Sequence, residues 1–125
     1  MVDDDPSVLA TYGRLLDRAG YRAVTREDPL HVLDEVDQAV EADLLLLDYK
    51  MPGMDGLSLL AELRRRECRA RCILISAFLN EDVRSQARNL GVEKVLEKPV
   101  DVATLRRTID ELLPPTRPRP AEATG

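Results

Sequence analysis

The sequence predicts an α/β protein built on one parallel sheet with helices on both faces. Three observations carry that expectation. The apolar runs Leu44–Leu47 and Cys72–Ile75 have strand length and lack the polar alternation of a half-exposed strand, so both of their faces are expected to be buried. Segments with helical spacing of apolar residues, several opened by an aspartate cap, lie between such runs. Strands and helices alternate along the chain, and buried strands joined by helical crossovers pair in parallel.

Taken in order, Met1 and Val2 are the only apolar residues available to a first strand before Asp3-Asp4-Asp5-Pro6. Asp5 followed by Pro6 fits an N-cap with proline at the first helical position. Val8, Leu9, Tyr12, Leu15, Leu16 and Ala19 then share a face up to Gly20. Tyr21–Arg26 reads as a short strand. Asp28-Pro29 repeats the cap and opens a helix to about Val40, with Leu30, Leu33, Val36 and Val40 as its stripe. The strand Asp43–Asp48 is followed by a Pro52-Gly53 turn and a helix from about Gly56 to Arg66, with Leu57, Leu60, Ala61 and Leu63 inward. Cys72–Ser76 is the next strand, and a helix from about Asn80 to Leu90 stops at Gly91. Val92–Glu97 is the last strand. Asp101 caps a final helix carrying Val102, Leu105, Ile109, Leu112 and Leu113. The expectation is five strands and five helices in one domain over residues 1–113. The proline-rich stretch from Pro114 to Pro120 can neither continue a helix nor pair as a strand, so 114–125 reads as a tail or linker.

Composition narrows the function. With 125 residues, 44% hydrophobic and 33% charged, the chain can bury a core as a single globular domain. A net charge of −5 and only three tyrosines and one phenylalanine argue against nucleic-acid binding. No apolar run is long enough for a signal peptide or membrane span, so a cytoplasmic location is expected. Cys68 and Cys72 lack the further ligands of a zinc site and read as reduced and structural. His31, the single histidine, has no partner nearby in sequence and reads as a surface residue. The arginines at 64, 65, 66, 69 and 71 read as a solvated helix end answering the dipole rather than as a nucleic-acid patch.

The chemistry centres on Asp48. A carboxylate at the C-terminal end of a buried parallel strand lies in the crevice where open α/β sheets place ligands, half desolvated and in need of a cation or a use. Crossovers of one hand bring every strand's C-terminal end to the same edge. Asp3, Asp4, Asp48, Ser76 and Lys98 all stand at or just after strand ends, so the fold gathers acids, a hydroxyl and an amine in one crevice.

Val2-Asp3-Asp4-Asp5-Pro6, Leu47-Asp48-Tyr49-Lys50-Met51-Pro52-Gly53-Met54-Asp55-Gly56, Ser76-Ala77 and Lys98-Pro99 together resemble the receiver domains of two-component response regulators. The resemblance covers about residues 1 to 113 in the family's order and spacing. It implies a flavodoxin-like, doubly wound five-stranded sheet of order 2-1-3-4-5. It also implies that Asp48 accepts a phosphoryl group from the phosphohistidine of a sensor histidine kinase or phosphotransfer protein, without turnover of a separate substrate. Mg2+ is implied as cofactor, held by Asp4, Asp48 and the Lys50 main-chain carbonyl, with Asp3 acting through water. Lys98, the Ser76 hydroxyl and the Ala77 N–H are implied as partners of the phosphoryl oxygens, and Pro99 as the site of a cis peptide. The resemblance also implies that Lys50 and Phe78 flank the line of hydrolytic attack. The output is expected through the face of the fourth helix, fifth strand and fifth helix, toward an effector domain or protein.

Two departures stand out. The first strand is truncated to Met1 and Val2, from which the natural start is expected upstream. Val95 stands where many receivers carry a switch aromatic, so signalling by rotation of a ring is not available. Two other classes compete. A haloacid-dehalogenase-like phosphatase needs a second aspartate two residues after the first, where this chain has Lys50. A degenerate receiver serving only as a binding module would have lost the acceptor, an acidic partner or the lysine, and all are present.

Overall fold

The computed structural model describes residues 1–113; the expected linker at 114–125 lies outside them. Nine elements follow in order: α1 (Pro6–Arg18), α2 (Pro29–Asp34), α3 (Val36–Glu41), β1 (Leu44–Asp48), α4 (Gly56–Arg65), β2 (Arg71–Ser76), α5 (Glu81–Asn89), β3 (Lys94–Glu97) and α6 (Val102–Leu112). The sheet is parallel with order β1-β2-β3, in register from Leu44 opposite Arg71 to Asp48 opposite Ile75, and from Ile73 opposite Lys94 to Ser76 opposite Glu97.

Beyond β1 the sheet continues as single bridges. Val2 pairs in parallel with Leu47 on one side and with Arg26 on the other. The lateral order is therefore the expected 2-1-3-4-5, but the first two strands are reduced to one bridge residue each. This corrects the expectation of five full strands. A first strand that supplies only Val2 ahead of the acidic run can template one residue of its outer neighbour. Among the described residues no strand forms over Tyr21–Arg26 beyond the Arg26 bridge.

The helix count is corrected as well. The segment expected as one helix to Val40 is interrupted at Glu35 (φ −114°, ψ 40°), where its carboxylate meets the Arg26 guanidinium at 2.7 Å. Six helices result. The break also turns the buried face: Val32 and Ala39 are buried, whereas Leu30 is 54% exposed and Val40 also faces solvent.

Five of the six helices open on an Asx cap: Asp5, Asp28, Asp55, Asn80 and Asp101 each accept a hydrogen bond from an N–H of the first turn. Each such cap contributes about 1 kcal/mol. The strand residues alternate between two cores. Leu45, Leu47, Cys72 and Leu74 pack with Leu57, Leu60, Leu63, Val83 and Ala87 of α4 and α5. Leu46, Ile73 and Ile75 pack with Leu16, Leu105, Ile109 and Leu112 of α1 and α6. Both faces of the sheet are thus covered, which is why its strands tolerate no polar alternation. Cys68 and Cys72 are free and buried, and His31 is exposed. Arg64 donates to the carbonyls of Cys68, Ala70 and Leu90, so this member of the arginine cluster closes the end of α4 against the end of α5.

Candidate functional site

Parallel pairing brings the ends of β1, β2 and β3 to one edge, and with them Asp48, Ser76 and Lys98. Asp3 and Asp4 join them through the Val2 bridge. Val2 N–H donates to the Leu46 carbonyl at 2.8 Å and Asp48 N–H donates to the Val2 carbonyl at 3.0 Å, while Asp3 N–H donates to the Arg26 carbonyl at 3.1 Å. These bonds hold the backbones of Asp3 and Asp48 side by side. Asp3 is 1% exposed and Asp48 4%, and one oxygen of each of Asp3, Asp4 and Asp48 lies within 4.8 Å of the others.

The Lys98 ammonium completes the cluster, 3.0 Å from Asp48 Oδ1 and 3.8 Å from Asp3 Oδ2. The Lys98 N–H donates to the Ser76 carbonyl at 2.9 Å, and the following Lys98–Pro99 peptide bond is cis. Burial raises the Asp48 carboxyl above its ordinary value, with the hydrogen bond and charge of Lys98 acting against it. Burial likewise raises Asp3, opposed by the Asp5 N–H that donates to Asp3 Oδ1 at 2.9 Å. For Lys98, burial alone works to lower the value, but the hydrogen bond it donates to Asp48 and the surrounding carboxylates outweigh it and hold the ammonium above its usual range. One cation against three carboxylates leaves the crevice acidic. An all-oxygen donor set of this charge suits a hard divalent cation such as Mg2+.

Gly56 enters the site through its missing side chain. A Cβ there would stand 2.4 Å from the Asp48 carbonyl oxygen, and the Gly56 N–H donates to the Tyr49 carbonyl at 2.7 Å. The start of α4 is packed directly on the Asp48 backbone. Sequence reasoning used Gly56 only as a motif letter and a helix start; the Asp-Gly pair at a helix N-terminus was the available signal for close approach.

The remaining expected residues divide. Ser76 is buried at the strand end, and its hydroxyl donates to the Phe78 carbonyl at 2.8 Å while accepting from the Phe78 N–H at 3.0 Å. Ala77 is exposed. Lys50 is exposed too, its ammonium 5.7 Å from the centre of the Phe78 ring, which is itself 67% exposed. Val95 is half-buried and packs on the α4–α5 core.

The sequence profile of the response regulator receiver domain matches residues 1–110. This chain belongs to that family. It is 33% identical over 129 residues to the DNA-binding transcriptional regulator NtrC of Escherichia coli, covering 100% of this chain and 27% of that protein. It is 29% identical over 114 residues to sporulation initiation phosphotransferase F of Bacillus subtilis, covering 91% of each. The receiver thus spans about a quarter of the length of NtrC and nearly all of the sporulation protein. Among solved structures, chemotaxis protein CheY4 of Vibrio cholerae superposes with a TM-score of 0.82 at 24% identity, over 90% of this chain and 94% of that one. The response regulator TrrA of Thermotoga maritima, solved in complex with Mg2+ and BeF, gives 0.75 at 28% identity over 90% and 95%. The fold is the flavodoxin-like fold of these receivers. The family is that of phosphorylation-driven two-component signalling, which leaves the haloacid-dehalogenase reading without support.

Proposed function

We propose that this receiver takes a phosphoryl group onto Asp48 from the phosphohistidine of a sensor histidine kinase or phosphotransfer protein. The observation that carries the reading is a buried Asp48 held 3.0 Å from a lysine and beside two further carboxylates. An Asp48 carboxylate oxygen forms the new bond to phosphorus as the phosphorus–nitrogen bond breaks, and the imidazole leaves with the electron pair. Catalysis of such a transfer is largely positioning and charge compensation. The Lys98 ammonium would meet the phosphoryl oxygens as a point charge, a role its 3.0 Å approach to Asp48 supports. The Ser76 hydroxyl and the Ala77 N–H are the further donors, once the hydroxyl gives up its bond to the Phe78 carbonyl. Asp4, Asp48 and the Lys50 carbonyl would hold Mg2+, with Asp3 behind them; when bound, the ion supplies the positive charge that the crevice lacks.

The domain acts as a switch rather than as an enzyme turning over a separate substrate. The surface it changes is that of α5, β3 and α6, offered to an effector domain or protein. Val95 contributes packing there and no rotating ring. No helix among the described residues is long and apolar enough to cross a membrane, and the domain is read as acting in the cytoplasm. The degenerate-receiver alternative is disfavoured because the acceptor, its acidic partners and the lysine are all retained.

Incubation with acetyl phosphate and Mg2+ should add one acid-stable, alkali-labile phosphoryl group. Asp48→Asn should abolish it, and excess chelator should suppress it. Labelling that persists in the Asp48→Asn protein would remove the assignment. Lifetime is the finer part of the reading. Phe78 offers a water no hydrogen bond, and protonated Lys50 cannot act as a base, so self-hydrolysis should be slow. Lys50→Asn with Phe78→Glu should speed decay about tenfold, equivalent to about 1.4 kcal/mol. A wild-type half-life of seconds, or an unchanged double variant, would overturn it.

A further inference from the structure

Lys98 reaches Asp48 from the short connection between β3 and α6, and that connection is tied at two points. The Lys98 N–H donates to the Ser76 carbonyl at 2.9 Å, which fixes its inner end to β2. Two residues on, the Val100 carbonyl accepts from the Tyr12 hydroxyl of α1 at 2.7 Å, a bond between residues 88 positions apart in sequence. Pro99, between them, has no N–H to donate, and Asp101 already caps α6 through the Thr104 N–H. The ring of Tyr12 packs on the α1–α6 core beside Leu15 and Leu16, a task that needs no hydroxyl. The hydroxyl adds a part-buried bond, which is stronger there than in water. The same helix also touches the acids. The Asp5 N–H donates to Asp3 Oδ1 at 2.9 Å, and Asp5 caps α1. One helix is thus bonded at its start to an acid of the crevice and, about two turns later, to the connection that carries the lysine.

We infer that Tyr12 is a positioning residue for phosphoryl transfer, its hydroxyl fixing the Val100 carbonyl and with it the backbone from which Lys98 meets Asp48. The inference rests on the reading of Asp48 as the phosphoryl acceptor. Lysine carries its charge on a flexible four-carbon stem, so the stem alone does not define where the ammonium sits; the backbone at its root does. A drift of that root is felt directly at the 3.0 Å contact with Asp48. The Lys98 side chain is 35% exposed, so water competes for the ammonium as soon as the contact lengthens. A charge that compensates phosphoryl oxygens lowers the barrier to the extent that it is already in place when transfer begins. Tyr12 acts through Lys98 and not on the reacting atoms.

The test compares the whole chain with its Tyr12→Phe form, which keeps the ring and removes only the hydroxyl. With acetyl phosphate and saturating Mg2+, the rate of labelling should fall about fivefold to tenfold. Hydrogen exchange at the Lys98 amide should speed by at least about fivefold, while the Leu74 amide in the middle of β2 stays unchanged. Equal acceleration of both amides would overturn the inference, because it marks a general loss of stability. Slow labelling that recovers as Mg2+ is raised would also overturn it, because the hydroxyl would then act on the acids. Failure of the parent reading shows separately, as labelling that survives Asp48→Asn. A Tyr12→Phe protein that labels at the normal rate, beside an Asp48→Asn protein that does not label, overturns the role of Tyr12 alone.

Discussion

The two sides of the sheet spend very different amounts of chain on the same site. From β1 to β3, strands of four to six residues lie in continuous register and are packed on both faces by Leu57, Leu60, Leu63, Leu105 and Ile109. On the other side of β1, the Arg26 segment is held through the single Val2 bridge and the backbone bonds that Met1 and Asp3 make around it. Yet the crevice draws on both sides: Asp48, Ser76 and Lys98 come from the well-paired side, Asp3 and Asp4 from the thin one. Asp48 and Lys98 are therefore anchored by the core, whereas Asp3 and Asp4 depend on a few backbone bonds around one residue. Loosening the thin side should cost metal affinity before it costs the position of Asp48.

The contrast is broken most directly by truncating one apolar residue on each side. Leu74 is fully buried in the centre of the sheet, and Leu74→Ala should cost about 3–4 kcal/mol through lost transfer energy and a cavity. Val24 on the thin side is 45% exposed, and Val24→Ala should change stability by no more than about 0.5 kcal/mol. Urea unfolding measures both. Similar losses at the two positions would mean that the thin side carries more of the fold than its pairing suggests.

Two glycines sharpen the same comparison with opposite signs. A Cβ on Gly56 meets the Asp48 carbonyl oxygen at 2.4 Å, backbone that cannot swing aside, so Gly56→Ala should destabilise by about 2–3 kcal/mol and impair phosphorylation by displacing the acceptor. Gly13, inside α1, would place its Cβ 3.5 Å from Thr25 Cγ2, an ordinary contact. Gly13→Ala should therefore stabilise by about 0.5–1 kcal/mol through helix propensity, with phosphorylation intact. A Gly56→Ala protein with normal stability and labelling would show that the start of α4 is free to move away from β1.

What the sequence disclosed follows the same division. The strands at Leu44–Leu47 and Cys72–Ser76 were legible because full burial writes a continuous apolar run. The caps were legible because an Asx residue before a helix has a local cause. The crevice followed from topology, since parallel strands deliver their ends to one edge. The failures sit on the thin side, where structure depends on a partner rather than on local pattern. Tyr21–Arg26 has a strand's composition but an inner neighbour only along Met1–Asp3, and the stripe from Leu30 to Val40 assumes a helix that Glu35 interrupts. The Ser76 hydroxyl's turn onto Phe78 was likewise invisible, because nothing local distinguishes a hydroxyl bonded within its own loop from one aimed at a ligand.

The thin side can also be isolated through the Met1 ammonium, which donates to the Val24 carbonyl. Burial, with added repulsion from Arg26, lowers the Met1 ammonium from 8.0 to about 6. The unfolded chain keeps that proton up to about pH 8, so between pH 6 and 8 the unfolded state binds more protons than the folded one. Stability then rises with pH across this window. Below it both states are protonated and the folded state bears the whole cost of the buried charge; above it both are neutral and the curve is flat. The well-paired side contributes nothing to this slope through Met1, so chemistry confined to the terminus tests the assignment. Acetylation of the N-terminus removes the charge from both states. The unmodified chain should gain about 7 °C in melting temperature between pH 6 and 8 relative to the acetylated one, about 2 kcal/mol from the two pKa values. Taking the difference between the two forms cancels every other group that titrates in the window. Parallel curves for the two forms would mean that the amine stays hydrated, and that the Met1–Val24 bond is too loose to bury it.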